Sequence, residues 1–198
     1  MAVAKIAIEQ IKKLKELSGA GLTDAKQALV EAKGDFDKAL EAMRKKGLTK
    51  AEKRGDRETR EGRVEAYIHD GRLGAIVEVN CETSFVANTE EFKTLAHQIA
   101  MQVASMNPLY VSEKDIPEDV KKAKIEELES NFKGPENMKE KILEGQMKKA
   151  FADKVLMNQP YILDDTKTVE QFIKEAIAKT GENITVKQFK RIELGVTE

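Results

Sequence analysis

Apolar residues recur along the chain at two different periods, and the change between them divides it. Up to about residue 46 the period is helical. Ala7, Ile11 and Leu14 fall at i, i+4 and i+7, with Ile8 and Leu17 widening the stripe. This predicts a first helix from about Lys5 to Leu17. "SGAG" breaks it, because glycine closes helix ends at little steric cost. Thr23 and Asp24 are good N-caps for a second helix with Ala25, Ala28, Leu29 and Ala32 on one side. Gly34 stops that helix. Asp35 caps a third, with Phe36, Ala39, Leu40 and Met43 facing inward; Arg44, Lys45 and Lys46 suit its C-terminal dipole, and Gly47 ends it.

From Lys50 to Arg63 the chain reads "KAEKRGDRETREGR", with almost nothing to bury, which predicts a solvated helix or spacer. The period then becomes two. In "RVEAYIHDGRLGAIVEVNCE", Asp70-Gly71 is a favoured type I′ turn and pairs His69 with Arg72. That register sets Ile68 opposite Leu73, Ala66 opposite Ala75 and Val64 opposite Val77, and predicts all six on a buried face continued by Val79 and Cys81.

Helical periodicity returns after Asn88 or Thr89, either of which can cap; Asn88 with Glu91 resembles a capping box. Phe92, Leu95, Ala96, Ile99, Val103 and Met106 form the stripe, and Asn107-Pro108 ends it. "PLYVS" is a short extended piece. Residues 117–132 and 136–157 read as two charged helices with thin apolar stripes (Ile125, Leu128, Phe132; Met138, Ile142), packing on one side only. "QPYIL" is a short strand. Thr168 and Gln171 cap a helix with Val169, Phe172, Ile173, Ala176 and Ile177, ended by Gly181. "NITVKQFKRIELG" is a final strand whose alternation slips after Val186, joining the hairpin as a third strand. The elements add up to an α+β fold. Residues 1–47 form a three-helix module, 48–62 a charged linker and 63–198 a core with a small antiparallel sheet packed by helices.

Composition sharpens this picture. The 198 residues are 35% charged and 40% hydrophobic with a formal net charge of -1, so nothing in the balance points to nucleic acid. The one cysteine, Cys81, cannot form an internal disulfide, which fits a reducing compartment. No apolar run spans a bilayer and the N-terminus lacks a signal-peptide core, so the expected location is cytoplasmic. Catalytic candidates are few. His69 and His97 are the only histidines, no metal-ligand spacing occurs, and "SGAG" lacks the Walker lysine pattern. Cys81 falls on the buried face, where a thiol is inert, although a thiol enzyme stays a rival reading. Neither a cofactor nor a metal is expected. One oddity remains in "NCETSFVAN": Phe85 lies in a strand-to-helix connection. Either it folds back to cap the core or it stands out for a partner.

"LKELSGAGLTDAKQAL" (Leu14 to Leu29) and "EVNCETSFVAN" (Glu78 to Asn88) resemble the two signature stretches of the elongation factor Ts family. The whole chain, down to "FKRIELG", is similar to the short bacterial form. The resemblance implies a guanine nucleotide exchange factor for elongation factor Tu. Such a factor binds the GDP form, displaces Mg²⁺, promotes GDP release and makes no bonds. It implies that Thr83, Ser84, Phe85 and Val86 dislodge Mg²⁺, with Phe85 wedging into the partner's GTPase domain. It also implies that the N-terminal module is UBA-like and docks on that domain through Lys15, Leu22 and Thr23.

The match has departures. The family's usual aspartate is Ser84 here, which shifts weight from charge to the shape of Phe85. Lys15, Leu22 and Thr23 stand where Arg, Met and Met are more usual, and a lysine lacks the bidentate fork of arginine. Short forms pair as homodimers, some through a cysteine in the last strand. Lys190 holds that position here, so the expected dimer is noncovalent. An RNA-binding protein is a further rival, disfavoured by the net charge and by few stacking aromatics. A relative that binds but exchanges slowly is another, kept open by Ser84.

Overall fold

The computed structural model of the chain describes residues 7–18, 20–132, 134–135 and 138–196. The expected helix starts at Lys5 and at residue 136, and Gly19 of the first break, lie outside the described residues. The fold is α+β, as the periodicities predict. It divides into two compact units, one of Met1–Val64, Glu78–Ala96 and Gln171–Val186, the other of Glu65–Val77, His97–Glu170 and Lys187–Glu198. No helix among the described residues is long and apolar enough to cross a membrane.

The first unit opens with α1 (Ile8–Ser18), α2 (Leu22–Glu31) and α3 (Phe36–Glu52). Ile11, Leu14, Ala25, Ala28, Leu29, Ala39 and Met43 form their shared core, with Ala20, Ala32, Phe36 and Leu40 packed against it. Small alanines let three short helices approach closely around two leucines. The wider stripe expected of α1 is not buried, since Ile8 and Leu17 are exposed. Thr23 and Asp24 do not cap α2. The cap lies two residues before Thr23, at an extended Gly21 that makes no side-chain cap bond. Asp24 instead pairs with Lys46 of α3 at 3.0 Å. Asp35 does cap α3, accepting from Lys38 N at 3.1 Å.

Gly47 does not end α3, which runs on to Glu52. A glycine inside a helix costs about 1 kcal/mol relative to alanine. Here a Cβ at position 47 would lie 3.1 Å from Ala178 Cβ, so the missing methyl is what lets the helix pass. The segment expected to bury almost nothing buries Ala51, and beyond α3 it is fastened to the unit. Buried Asn183 donates through Nδ2 to Gly55 O (3.3 Å) and Arg57 O (2.7 Å), and the hydroxyls of Thr59 and Thr185 are 2.9 Å apart.

The strands β1 (Glu61–His69), β2 (Leu73–Cys81) and β5 (Ile184–Glu193) form one sheet in the order β1-β2-β5. The type I′ turn is as expected: Asp70 and Gly71 have φ of 49° and 67°, and Arg72 N donates to His69 O at 3.0 Å. The expected faces are not. Ala75, Val77, Val79 and Cys81 are buried, but Val64, Ala66 and Ile68 are exposed, Ile68 by 72%. A Cβ on Gly74 would lie 3.7 Å from Ile68 Cγ1, so Ile68 stands on Gly74's side of the sheet. One residue of offset turns a whole strand over, because side chains alternate with period two. In β5 the burial does change phase: Ile184 and Val186 are buried, then Phe189 and Arg191 are half-buried.

After the site turn, α5 (Glu90–Met106) buries its stripe from Phe92 to Val103, with Met106 exposed. Thr89 rather than Asn88 caps it, Phe92 N donating to Thr89 Oγ1 at 3.2 Å. The expected box with Glu91 does not form because Asn88 closes the preceding turn. In the second unit, α6 (Glu118–Ser130) buries no residue and α7 (Lys139–Phe151) only Phe151, so the pair packs thinly, as their stripes predict. The helix expected to reach residue 157 stops at Phe151; Tyr110 instead bridges Val155 in parallel. Pro160–Tyr161 (β3) pairs with Asp164–Thr168 (β4), a strand that its sequence, "DDTKT", gives no apolar reason to expect. The helix α8 (Val169–Thr180), which from Gln171 on belongs to the first unit, buries Val169, Ile173 and Ile177.

Candidate functional site

The connection from β2 to α5 folds into a single turn of helix. Thr83 is extended (φ −129°, ψ 151°), and its Oγ1 accepts from Val86 N at 3.4 Å, which starts α4 (Ser84–Ala87). Asn88 closes the other end, donating through N to Ser84 O (3.2 Å) and through Nδ2 to the same oxygen (2.7 Å). Four residues cannot present one face only. Val86 and Ala87 are buried, and Phe85 is 80% exposed. Of the two readings of Phe85, folding back onto the core is thereby excluded.

Residues just after α8 hold this turn from outside. Glu182 accepts from Thr83 N at 3.0 Å on one carboxylate oxygen and from the Thr83 hydroxyl at 2.6 Å on the other. Asn183 N donates to Glu82 Oε1 at 2.7 Å, and Arg57 Nη1 lies 3.3 Å from Glu82 Oε2. The Asn183 N–H, and after it Arg57, hold the Glu82 carboxyl below the usual carboxylate range. Under the turn, Cys81 Sγ donates to Thr83 O at 3.2 Å. Burial, aided by the charge of Glu182, pushes the Cys81 thiol up to about 11. Since the thiolate is the nucleophile, Cys81 is a core residue and not a reactive one.

The four residues singled out after β2 thus stand together, but not in one role: Thr83 caps, Ser84 and Phe85 are exposed, and Val86 is an anchor. Lys15 on α1 and Leu22 and Thr23 on α2 are each exposed. The two histidines flank Tyr67. Its hydroxyl lies 3.0 Å from His69 Nδ1, and the His97 ring meets it edge-on at 5.6 Å between centroids. Among the described residues no three His, Cys, Asp or Glu side chains converge as a metal site. The sequence reading missed Glu182 and Asn183. Glu182 lies 99 positions from the threonine it holds, and no local pattern links them.

The arrangement holds one large aromatic side chain out of a turn fastened at both ends.

The family described as "Elongation factor TS" matches residues 2–196. The chain is 51% identical over 193 residues to "Elongation factor Ts" of Thermotoga maritima, covering 96% of this chain and 97% of that protein. It is 46% identical over 194 residues to the protein of that name from Caldanaerobacter subterraneus subsp. tengcongensis, covering 96% and 97%. With the protein of that name from Rippkaea orientalis it shares 49% identity over 199 residues, covering 98% of this chain and 80% of that one.

Proposed function

Because the chain belongs to the elongation factor Ts family, and so is a nucleotide exchange factor for elongation factor Tu in translation elongation, we propose that it drives GDP release by inserting Phe85 into the partner's GTPase domain. The observation that carries this reading is the exposure of Phe85 on a turn whose other apolar residues are buried. The physics is linkage. The factor must bind the nucleotide-free partner better than the GDP-bound one, and that difference is what weakens GDP. A rigid wedge that fits only the opened nucleotide pocket supplies such a difference. In this reading Thr83, Ser84, Phe85 and Val86 act as one device that dislodges the partner's Mg²⁺. Phe85 makes the contact, and Thr83 and Val86 hold it in place. The chain itself makes and breaks no bonds, and needs no cofactor.

The three-helix module, UBA-like in this reading, docks on the same GTPase domain through Lys15, Leu22 and Thr23. A noncovalent homodimer completes the proposal. It is supported by exposed apolar residues on all three strands of the sheet, Ile68, Ile76 and Ile192. The setting is cytoplasmic, with protein partners and no nucleic acid.

The test is GDP release. Elongation factor Tu loaded with a fluorescent GDP analogue is chased with excess GDP, with no factor, with this protein and with Phe85→Ala. Acceleration by the wild type and its loss in the variant are expected. A wild type that binds without accelerating release would make the chain a binding relative instead, the reading that Ser84 keeps open.

A further inference from the structure

We infer that Glu182 is a positioning residue for exchange, its carboxylate holding Thr83 so that α4 is formed and Phe85 turned outward before the partner arrives. The inference rests on the reading of Phe85 as the wedge. A helix of four residues does not stand by itself, since nucleation fixes several dihedrals for one hydrogen bond. It needs holding from below, behind and in front. Val86 and Ala87 hold it below and Asn88 behind. In front there is only Thr83, and both of its donors go to Glu182.

The geometry of that pair is specific. The Thr83 hydroxyl gives its proton to Glu182 Oε1, which leaves its lone pairs free for Val86 N, the first bond of the helical turn. Glu182 Oε2 takes the Thr83 amide, which fixes the extended backbone that a capping residue requires. Glu182 is itself fixed on both sides. Gly181, at φ +80°, closes α8 by donating to Ile177 O at 2.9 Å, and Glu182 N donates to Thr180 Oγ1 at 3.3 Å. On its other side the buried Asn183 is tied to Arg57 O and Glu82. The carboxylate therefore sits on a backbone that cannot drift, and it passes that rigidity to the turn. A wedge ordered in advance spends less of its binding on its own ordering.

A double-mutant cycle decides the matter, read as maximal GDP release rate and half-saturating factor concentration. Glu182→Ala is expected to lower the maximal rate about 5- to 10-fold, with the half-saturating concentration changed less than about twofold. Glu182→Gln should restore most of the loss, because its amide oxygen can accept Thr83 N and its amide NH₂ can donate to Thr83 Oγ1. In a Phe85→Ala background, Glu182→Ala should cost nothing more. An unchanged Glu182→Ala rate, or a loss that persists in full without Phe85, would overturn the inference. Should Glu182→Ala fold poorly, Thr83→Val carries the same test, removing the hydroxyl that joins Glu182 to Val86 N while the Thr83 amide bond to Glu182 stays, with an expected loss of about two- to threefold. If Phe85→Ala alone releases GDP as fast as wild type, the wedge reading has failed and this inference with it. If Phe85→Ala is impaired and the cycle is additive, only the inference has.

Discussion

Phe85 and Leu22 are both large apolar side chains turned to solvent, 80% and 55% exposed, and both lie in surfaces proposed to meet elongation factor Tu. Their supports differ. Leu22 opens a ten-residue helix that packs on two neighbours, and its N-cap, Gly21, contributes no side-chain bond. Phe85 sits on a helix of four residues, too short to persist unaided, yet hydrogen-bonded at both ends and seated on the buried Val86 and Ala87, with Cys81 buried just before it. A contact that only has to dock can sit on an ordinary helix start. A contact that has to push must be braced, or the push is absorbed by its own backbone. The difference in bracing predicts a difference in role: Leu22 brings the partner in and Phe85 does the displacing.

The largest expected effect concerns the brace itself. Cys81 lies directly under the turn with its thiol at about 11 against an ordinary 9.0. At pH 8 that alone lowers the thiolate fraction about 100-fold, and burial slows attack further. Native protein treated with iodoacetamide should therefore react at least that much more slowly than protein unfolded in urea. The sign with pH follows. The folded state prefers the protonated thiol, so this contribution to stability is complete below 9.0 and is lost as pH rises towards 11. Rapid alkylation of the native chain would mean that the turn opens often, and the contrast with Leu22 would lose its basis.

Next in size is the contrast itself, measured as kinetics. Phe85→Ala should cut the maximal GDP release rate about 30-fold or more, the scale of an interface hot spot of at least 2 kcal/mol. Leu22→Ala should leave the maximal rate and raise the half-saturating concentration about threefold to tenfold. If both substitutions change the same parameter, the two side chains share one role and the division into docking and displacing is wrong.

How far such a division could be seen beforehand depends on the range of the forces involved. Phe85 was legible as an outlier because it is an apolar residue in a polar connection, and the chain signature around it is local. The type I′ turn at Asp70-Gly71 was legible for the same reason. The faces of β1 were not, because Val64, Ala66 and Ile68 alternate as well on an open face as on a buried one; the pattern gives the period and not the side. Gly47 looks like a helix stop until Ala178 is beside it. Thr23 and Asp24 look like caps until Asp24 is taken by Lys46. The brace was the least legible part, since a carboxylate 99 positions away leaves no trace in the motif it holds.

A smaller effect should come from the anchor below. Val86 is 6% exposed, and Val86→Ala removes two buried methyl groups from beside Phe85. The expected loss of stability is about 1–2 kcal/mol, or roughly 2–8 °C in Tm for a chain of this size. The melting transition should fall by that much while the half-saturating concentration set by the Leu22 side stays put. An unchanged melting temperature would show that the turn is held from its ends alone.

The smallest effect should follow from restoring the charge that this chain lacks. Ser84 is exposed, and its part in the turn is played by its backbone oxygen, which accepts from Asn88 Nδ2. Ser84→Asp therefore leaves the brace intact. A carboxylate in the first turn of a helix is favoured by the N–H groups there, but a four-residue helix has little dipole, and Glu182 bonded to the neighbouring Thr83 repels a second negative charge. These opposing terms are each below about 1 kcal/mol at an exposed position, so the maximal GDP release rate should move by less than about threefold. Bracing and shape would then account for displacement, as the contrast between Phe85 and Leu22 requires. A tenfold gain in Ser84→Asp would instead put the work on a charge acting near the partner's Mg²⁺. Phe85 would become a second docking contact, and the brace would matter for holding position 84.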